Sequence, residues 1–368
     1  MSILDSRVQR LLARKDDHIL LSLQPDSQYR VKTSWFEYVE FVHVAAPEMN
    51  MSDAALTTEF FGFKLRAPLM ISGMTGGTQL AKKLNLIFAR VAEDMGIAVG
   101  VGSQRAALEA PEVRDTFSVV REVAVSVPVV ANIGASQLAE GLSLDAVEDI
   151  VDMVDADAIA VHLNPLQEAL QPEGEARYAG LLERLRELVE RAPVPVIVKE
   201  TGAGISRETA EKLAAIGVKG IDVGGAGGTS FARIEGIRAL LKDDPLLLQL
   251  CEDFSEWGIP TAASILEVRA ATNTLLVVAT GGLRNGIDAG KALRLGADIC
   301  GFAYPVLRAT MEGGYQGALN YVRRVIEGLR RVLFLTNSRN LNELKKARIV
   351  IKGELREWVL SRKLLDMI

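Results

Sequence analysis

The 368-residue chain is 49% hydrophobic, enough for a large packed core and long enough for two ordinary domains or one α/β barrel with additions. Its 42 Lys and Arg stand against 47 Asp and Glu, a net charge of −5; a duplex-binding protein carries a basic surplus, so nucleic acid is not an expected partner. The two cysteines, Cys251 and Cys300, lie in runs that read as interior and cannot build a disulfide framework or a zinc cluster.

The opening MSILDSRVQRLLARKDDH has no apolar h-region, and no later stretch reaches 18 uninterrupted apolar residues. The expectation is a cytoplasmic protein with no membrane partner. Only the first two dozen residues are polar enough to lack a fixed fold.

Short apolar, β-branched runs follow in chain order: PLMIS (68–72), IAVGVGS (97–103), VPVVANI (127–133), AIAVHL (158–163), VPVIVKE (194–200), GIDVGG (220–225), LLVVATGG (275–282) and ADICGFA (297–303). Most begin about 25 to 35 residues apart, the length of one strand, one helix and two short loops. The segments between them carry helical stripes. LSLDAVEDIVDMVDA (142–156) aligns Leu144, Val147, Ile150, Val151 and Val154, with Ser143 as candidate N-cap. Residues 177–192 and 206–217 behave likewise, and Gly217 sits where a helix should stop. Eight such units predict a (β/α)8 TIM barrel; an open doubly wound sheet is the alternative. The expected organisation is one domain over 1–368: an N-terminal extension (1–66), a barrel core (67–312) and C-terminal helices (313–368). The interval of about 50 residues after strand six leaves room for an insertion carrying FARIEGIRALLKDDPLLLQLCEDF. The amphipathic tail GALNYVRRVIEGLRRVLFL suits packing or an oligomer contact.

In a barrel the C-terminal ends of the strands face the active site. Here they are SGMTGGT, VGSQR, NIGASQ, HLNPLQE, KETGAGIS, GGAGGTS, TGGLRNG and GFAYP, far more polar than the strands they end. Gly281 and Gly282 after strand seven, with Gly301 and Ala303 at strand eight, are small residues around backbone N–H donors, the makings of a phosphate cradle. GGAGGT lacks the Lys of a P-loop and is either a second cofactor loop or a structural glycine turn. Lys199 at the barrel mouth suits the anionic pyrimidine side of a reduced flavin; the alternative is a salt bridge to Glu200. His162 opens a polar cluster with Asn164, Gln167 and Glu168. Glu168 could hold Mg²⁺ through one carboxylate while phosphates and waters complete the octahedron. ARKDDH (13–18) reads as helix-end basic residues, or, if the arm folds over the mouth, as diphosphate clamps Arg14 and Lys15, with Arg105 as a third.

Taken together, RKDDH, MTGGT, VGSQRAALE, NIGAS, HLNPLQE, VIVKETGAGIS, GAGGTSFARIE and TGGLRNGIDAGKALRLGAD resemble the type 2 isopentenyl-diphosphate isomerases over most of the chain. That resemblance implies an FMN-dependent (β/α)8 enzyme interconverting isopentenyl and dimethylallyl diphosphate. It implies Met74, Thr75, Ser103, Asn132, Lys199, Thr229, Gly281, Gly282, Arg284 and Ala303 around FMN. It implies Arg14, Lys15, Ser103, Arg105, His162, Asn164 and Gln167 for the substrate, with Gln167, His162 and Glu235 as the catalytic group and Glu168 as the Mg²⁺ ligand. It further implies reduced FMN as the acid/base, NADPH as reductant, and a homo-oligomer, tetramer or octamer. Two positions depart from the family: Gly224 replaces a usual Ser and Phe231 a usual Trp. Loss of the hydroxyl would remove one FMN hydrogen bond, about 0.5–1.5 kcal/mol net. An FMN-dependent 2-hydroxy-acid oxidoreductase on a related barrel is the competing reading; it needs a catalytic histidine late in the barrel, and none follows His162.

Overall fold

A computed structural model describes residues 15–174 and 176–367. Eight parallel strands close into a barrel: β1 (Leu69–Ile71), β2 (Ala98–Gly100), β3 (Val129–Gly134), β4 (Ala158–Leu163), β5 (Val196–Glu200), β6 (Gly220–Asp222), β7 (Leu276–Ala279) and β8 (Ile299–Phe302). Seven lie within the runs that the apolar pattern selects, and β3 ends one residue past its run, at Gly134. β8 pairs with β1, and Cys300 faces Leu69 across the closure. That closed ring excludes the open sheet.

Inside the ring, Met70, Ala98, Val130, Ala158, Ile197, Val278 and Ile299 form one cluster, joined by Phe60 and Leu65 of an antiparallel hairpin (Thr58–Phe60 with Phe63–Leu65). The hairpin meets the first residues of several strands, so it plugs the end opposite the site. This interior is a packed core rather than a pore, and it leaves only the C-terminal ends of the strands for chemistry.

The outer helices are α1 (Gln79–Met95), α2 (Asp115–Val123), α3 (Leu144–Met153), α4 (Pro165–Leu170), α5 (Leu181–Arg191), α6 (Arg207–Ala215), α7 (Phe231–Leu241), α8 (Pro245–Asp253), α9 (Thr261–Ala271), α10 (Gly286–Leu295), α11 (Tyr304–Leu335) and α12 (Gly353–Arg362). The Ser143 hydroxyl accepts from Ala146 N at 3.2 Å and caps α3. Gly217, at φ +88°, turns the chain out of α6. The long interval after β6 holds α7 and α8, packed on each other, ahead of the outer helix α9. α11 breaks at Gly313 and Gly314, so a first stretch starts at the barrel mouth and a second packs against α10 and α1 to complete the ring. Both cysteines are buried.

The described part of the N-terminal segment is more ordered than its polarity predicts. Residues 15–22 are helical, Ile19 is buried, and Asp16 Oδ1 accepts from the Thr78 hydroxyl at 2.6 Å. The polar side chains that argue for disorder are satisfied by tertiary partners instead.

Candidate active site

One cavity of about 310 Å³ opens at the C-terminal ends of the strands. Lys15, Met74, Thr75, Ser103, Arg105, Asn132, His162, Asn164, Gln167, Glu168, Lys199, Thr229, Gly281, Gly282, Arg284 and Ala303 all line it. Arg14 lies outside the described residues. Glu235 is fully buried behind the arm rather than on the wall: its Oε1 meets His18 Nε2 at 3.0 Å, and Oε2 accepts from Arg238 Nη1 at 2.5 Å. His18, with Phe231 edge-on at 6.0 Å, stands at the cavity surface there.

The glycine loops after β6 and β7 lie backbone against backbone. A Cβ on Gly281 would sit 2.0 Å from Gly225 O, and one on Gly282 2.7 Å from Gly227 O; both have positive φ. Only glycine fits such an approach. α11 begins immediately after Ala303, but Pro305 brings no N–H and Val306 and Leu307 donate theirs to Ala303 O, so its first turn offers this hollow the Tyr304 amide. Thr229 and Arg284 are linked there through Gln28, which donates to Thr229 Oγ1 at 3.1 Å and accepts from Arg284 Nη2 at 2.9 Å. Nothing in the spacing of Gln28, some 200 residues upstream, signals that contact.

Two buried hydroxyls on the β1 side, Ser72 Oγ and Thr75 Oγ1, have no hydrogen-bond partner, and both residues line the cavity. Leaving a buried polar group unpaired costs about 1–3 kcal/mol, so these hydroxyls await a polar ligand. With Lys199 across the mouth and the glycine cradle beyond, the residues fit a flavin mononucleotide: polar ring edge by Thr75 and Lys199, phosphate by the glycines and α11.

Lys199 does not pair with the Glu200 carboxylate, because neighbouring strand residues face opposite ways. Its Nζ donates to Glu200 O at 3.1 Å. The Glu200 carboxylate instead accepts from the amides of Thr201, Gly202 and Ala203; burial pushes it up to about 7 against the pull of those amides and of Lys199. Lys199 pairs in register with Asp222, whose carboxyl burial raises while Lys199 pulls it down. Gly224 has a geometric reason of its own. At φ +45° its Cβ would lie 2.0 Å from Glu200 O, so this backbone admits no side chain. The glycine therefore reflects a close approach between loops, and the loss of a hydroxyl from an otherwise equal site is not the right account.

His162 Nδ1 lies 2.8 Å from Asn132 Oδ1. Asn132 Nδ2 donates to Val101 O, which fixes the amide orientation, so Nδ1 carries the proton and Nε2 is left as an acceptor in the neutral ring. Burial, with Lys199 and Lys15 nearby, drives His162 down to about 3. A histidine whose folded value is depressed binds fewer protons folded than unfolded between pH 3 and 6.5, so stability is full above about 6.5 and falls with acid. In chemical denaturation between pH 7 and pH 5, the ligand-free protein is expected to lose up to about 1.4 kcal/mol per pH unit from this group. His162→Gln should flatten that slope, and an unchanged slope would refute the assignment.

The arm closes over this face. Lys15 Nζ donates to Ser103 O at 2.7 Å and lies 5.2 Å from the Phe117 ring centroid. Arg105 is steadied by Glu109 Oε1 at 2.8 Å. Both cations line the cavity with His162 and Asn164, and of the lining carboxylates Glu168, Glu173 and Glu200 it is Glu168 on α4 that accepts from Asn164 Nδ2, at 2.9 Å. Among the described residues no group of three or more His, Cys, Asp or Glu could by itself hold a metal ion. A single carboxylate completed by phosphate oxygens is the arrangement Mg²⁺ uses, and Glu168 fits it.

Curated relatives named isopentenyl-diphosphate delta-isomerase match nearly end to end. One from Pyrobaculum islandicum is 47% identical over 96% of this chain and 98% of its own length; one from Ignicoccus hospitalis is 45% identical over 95% and 96%. The chain belongs to the isopentenyl-diphosphate delta-isomerase family. A second match, to the family described as FMN-dependent dehydrogenase, spans residues 167–351. In solved structures the same barrel occurs in a Pediococcus acidilactici lactate oxidase, described as putative (TM-score 0.64, 17% identity, 94% of each chain covered) and in a mandelate oxidase (0.62, 18%, 94% of this chain and 98% of that one). The dehydrogenase match contains Lys199, Thr229, Gly281, Gly282, Arg284 and Ala303 but begins after Lys15, Arg105, His162 and Asn164. The match also takes in Gln167 and Glu168 and leaves out Ser72, Met74, Thr75, Ser103 and Asn132, so its boundary does not separate a flavin side of the cavity from a substrate side.

Proposed function

We propose that the protein interconverts isopentenyl diphosphate and dimethylallyl diphosphate, with FMN in its reduced form, Mg²⁺ on the diphosphate and NADPH as reductant. The observation that carries this reading is one cavity lined both by a glycine and hydroxyl cradle that fits a flavin and by Lys15, Arg105, His162 and Asn164 with the Glu168 carboxylate. A 2-hydroxy-acid oxidase would need a histidine base late in the barrel, and His162 is the last histidine in the chain.

Reduced flavin supplies a ring nitrogen that can carry a proton to and from an alkene without net redox change. The rest falls to the chain. Lys15, Arg105 and Asn164 hold the diphosphate, with Arg14 from the adjoining segment; His162 joins them once its Nε2 takes up a proton against the anion. Glu168 shares the Mg²⁺. Gln167 presents its amide to the allyl group, and Lys199 faces the pyrimidine edge of the cofactor. The arm helix, held by Lys15, Asp16 and His18, excludes water, which strengthens the attraction between a developing carbocation and the diphosphate. Glu235 acts from behind His18, stabilising that ring.

The reading includes a cytoplasmic homo-oligomer, tetramer or octamer. On α7 and α8 Leu240, Leu241 and Leu246 are 65%, 74% and 69% exposed, an apolar surface of the kind such contacts cover. Among the described residues no helix is long and apolar enough to cross a membrane.

The test is an anaerobic assay with FMN, Mg²⁺, NADPH and isopentenyl diphosphate, each omitted in turn. Dimethylallyl diphosphate is expected only when FMN is reduced and Mg²⁺ is present. Flavin binding without isomer would retain the cofactor and refute the substrate. Glu168→Ala should raise the Mg²⁺ concentration for half-activity and the KM for substrate by about tenfold or more; unchanged values would remove Glu168 from the metal site.

A further inference from the structure

The wall formed by α4 carries a closed circuit of side-chain hydrogen bonds that includes two residues not yet given a role, Gln171 and Tyr178. Asn164, Gln167, Glu168 and Gln171 are spaced i, i+3, i+4 and i+7, which places them along one face. Asn164 Nδ2 donates to Gln167 Oε1 at 3.1 Å and to Glu168 Oε1 at 2.9 Å. Gln167 Nε2 donates to Gln171 Oε1 at 3.3 Å, and Gln171 Nε2 donates to Glu168 Oε2 at 2.8 Å. Tyr178 Oη donates to Asn164 Oδ1 at 3.0 Å; burial raises its phenol, keeping the proton that makes it a donor.

The directions in this circuit are not free. An ionised carboxylate only accepts, so both neighbours of Glu168 must turn an NH2 group toward it. Gln171 then has only its carbonyl left for Gln167, and Gln167 must answer with its own NH2. The Gln167 carbonyl is thereby turned to Asn164, whose other end is fixed by Tyr178. Reversing any one amide would set two donors or two acceptors against each other. Gln171, buried and 6% exposed, joins the Gln167 amide to the Glu168 carboxylate from the side opposite Asn164.

We propose that Gln171 is a positioning residue for the isomerisation: it fixes which face of the Gln167 amide meets the substrate and aims the Glu168 carboxylate at the diphosphate-bound cation. This rests on the proposed function. Partners of this kind behind a metal ligand change metal affinity by about 10–100-fold when removed.

Gln171→Met keeps the length and removes both polar ends. Gln171→Glu keeps the acceptor for Gln167 and sets a second carboxylate beside Glu168. Both are examined as flavin-loaded protein by three readouts: flavin absorbance, Mn²⁺ titration by electron paramagnetic resonance with inorganic pyrophosphate, and kcat and KM for isopentenyl diphosphate. Gln171→Met is expected to bind Mn²⁺ about tenfold or more weakly and to lose about tenfold in kcat, with flavin retained. Gln171→Glu is expected to bind Mn²⁺ more tightly than the unmodified protein, with kcat within about threefold of it. A residue that merely finishes α4 would leave the Mn²⁺ affinity of Gln171→Met within about threefold of the unmodified protein, short of the tenfold loss expected of a partner behind a metal ligand. A shared direction, or an unmoved Gln171→Met, overturns the proposal. If the unmodified protein forms no dimethylallyl diphosphate, the proposed function fails, while the opposed Mn²⁺ shifts still decide the role of Gln171.

Discussion

Gln167→Ala is expected to cut kcat at least a hundredfold while FMN stays bound, the cost typical of losing one hydrogen-bond donor aimed at a reacting group. Gln167 is buried on α4, lines the cavity, and has its carbonyl engaged by Asn164 and one amide proton by Gln171. The second amide proton is then the part of this side chain left for substrate. An amide neither takes nor gives up a proton at neutral pH, so in the proposed role Gln167 would donate a hydrogen bond and orient the substrate and would not serve as the base. None of its partners belongs to the glycine cradle or the Lys199 side, which is why flavin binding should survive. Flavin absorbance after gel filtration and steady-state turnover test both halves. Near-normal turnover would remove Gln167 from the catalytic group, and loss of flavin would show that α4 supports the cofactor.

The largest stability effect is expected far from the cavity, at Glu267 on α9. Its carboxylate is fully buried and accepts from Arg362 Nε at 2.8 Å, Arg362 Nη2 at 2.9 Å, Trp358 Nε1 at 2.9 Å and Arg207 N at 2.9 Å. These bonds pin the C-terminal helix α12 to the barrel. Glu267→Ala leaves three donor groups without their acceptor, which costs about 3–5 kcal/mol in buried settings. On a chain of this size that is a fall in Tm of about 4–6 °C. Burial alone would raise the Glu267 carboxyl, but Arg362, the Arg207 amide and Trp358 outweigh it and hold it below the usual range. A depressed folded value means the contribution is complete above the unfolded glutamate range and is lost as pH falls through the folded value. Thermal scans of both proteins at neutral and acid pH should therefore converge as the pH drops. A Tm within about 2 °C of the unmodified protein at pH 7 would refute the latch.

The barrel was legible because its signals are local. Eight β-branched runs, most of them evenly spaced and each followed by polar residues, require nothing but the alternation of strand and helix, and seven barrel strands fall inside their runs while β3 passes its own by one residue. The cavity was legible for the same reason: strand ends converge in any closed barrel, so fifteen of the predicted site residues meet once the ring closes, and Lys15 joins them through the arm. The order of residues 15–22 was not legible, since polarity argues for disorder and the bonds that settle the arm reach Ser103, Thr78 and Glu235. Gln171 and Tyr178 were overlooked beside more conspicuous neighbours, although the i+7 spacing from Asn164 offered a signal for Gln171.

The amino-acid sequence alone determines the eightfold unit, the cradle glycines and the chemistry gathered at the strand ends, because these depend on near neighbours and on one repeated geometry. Only the tertiary structure decides that His18 and not Glu235 fronts the cavity, that Gly224 is demanded by Glu200 O, and that Glu267 holds the C-terminal helix. Each of those contacts joins residues from 24 to 217 positions apart, and their energies exist only after two separate elements have docked.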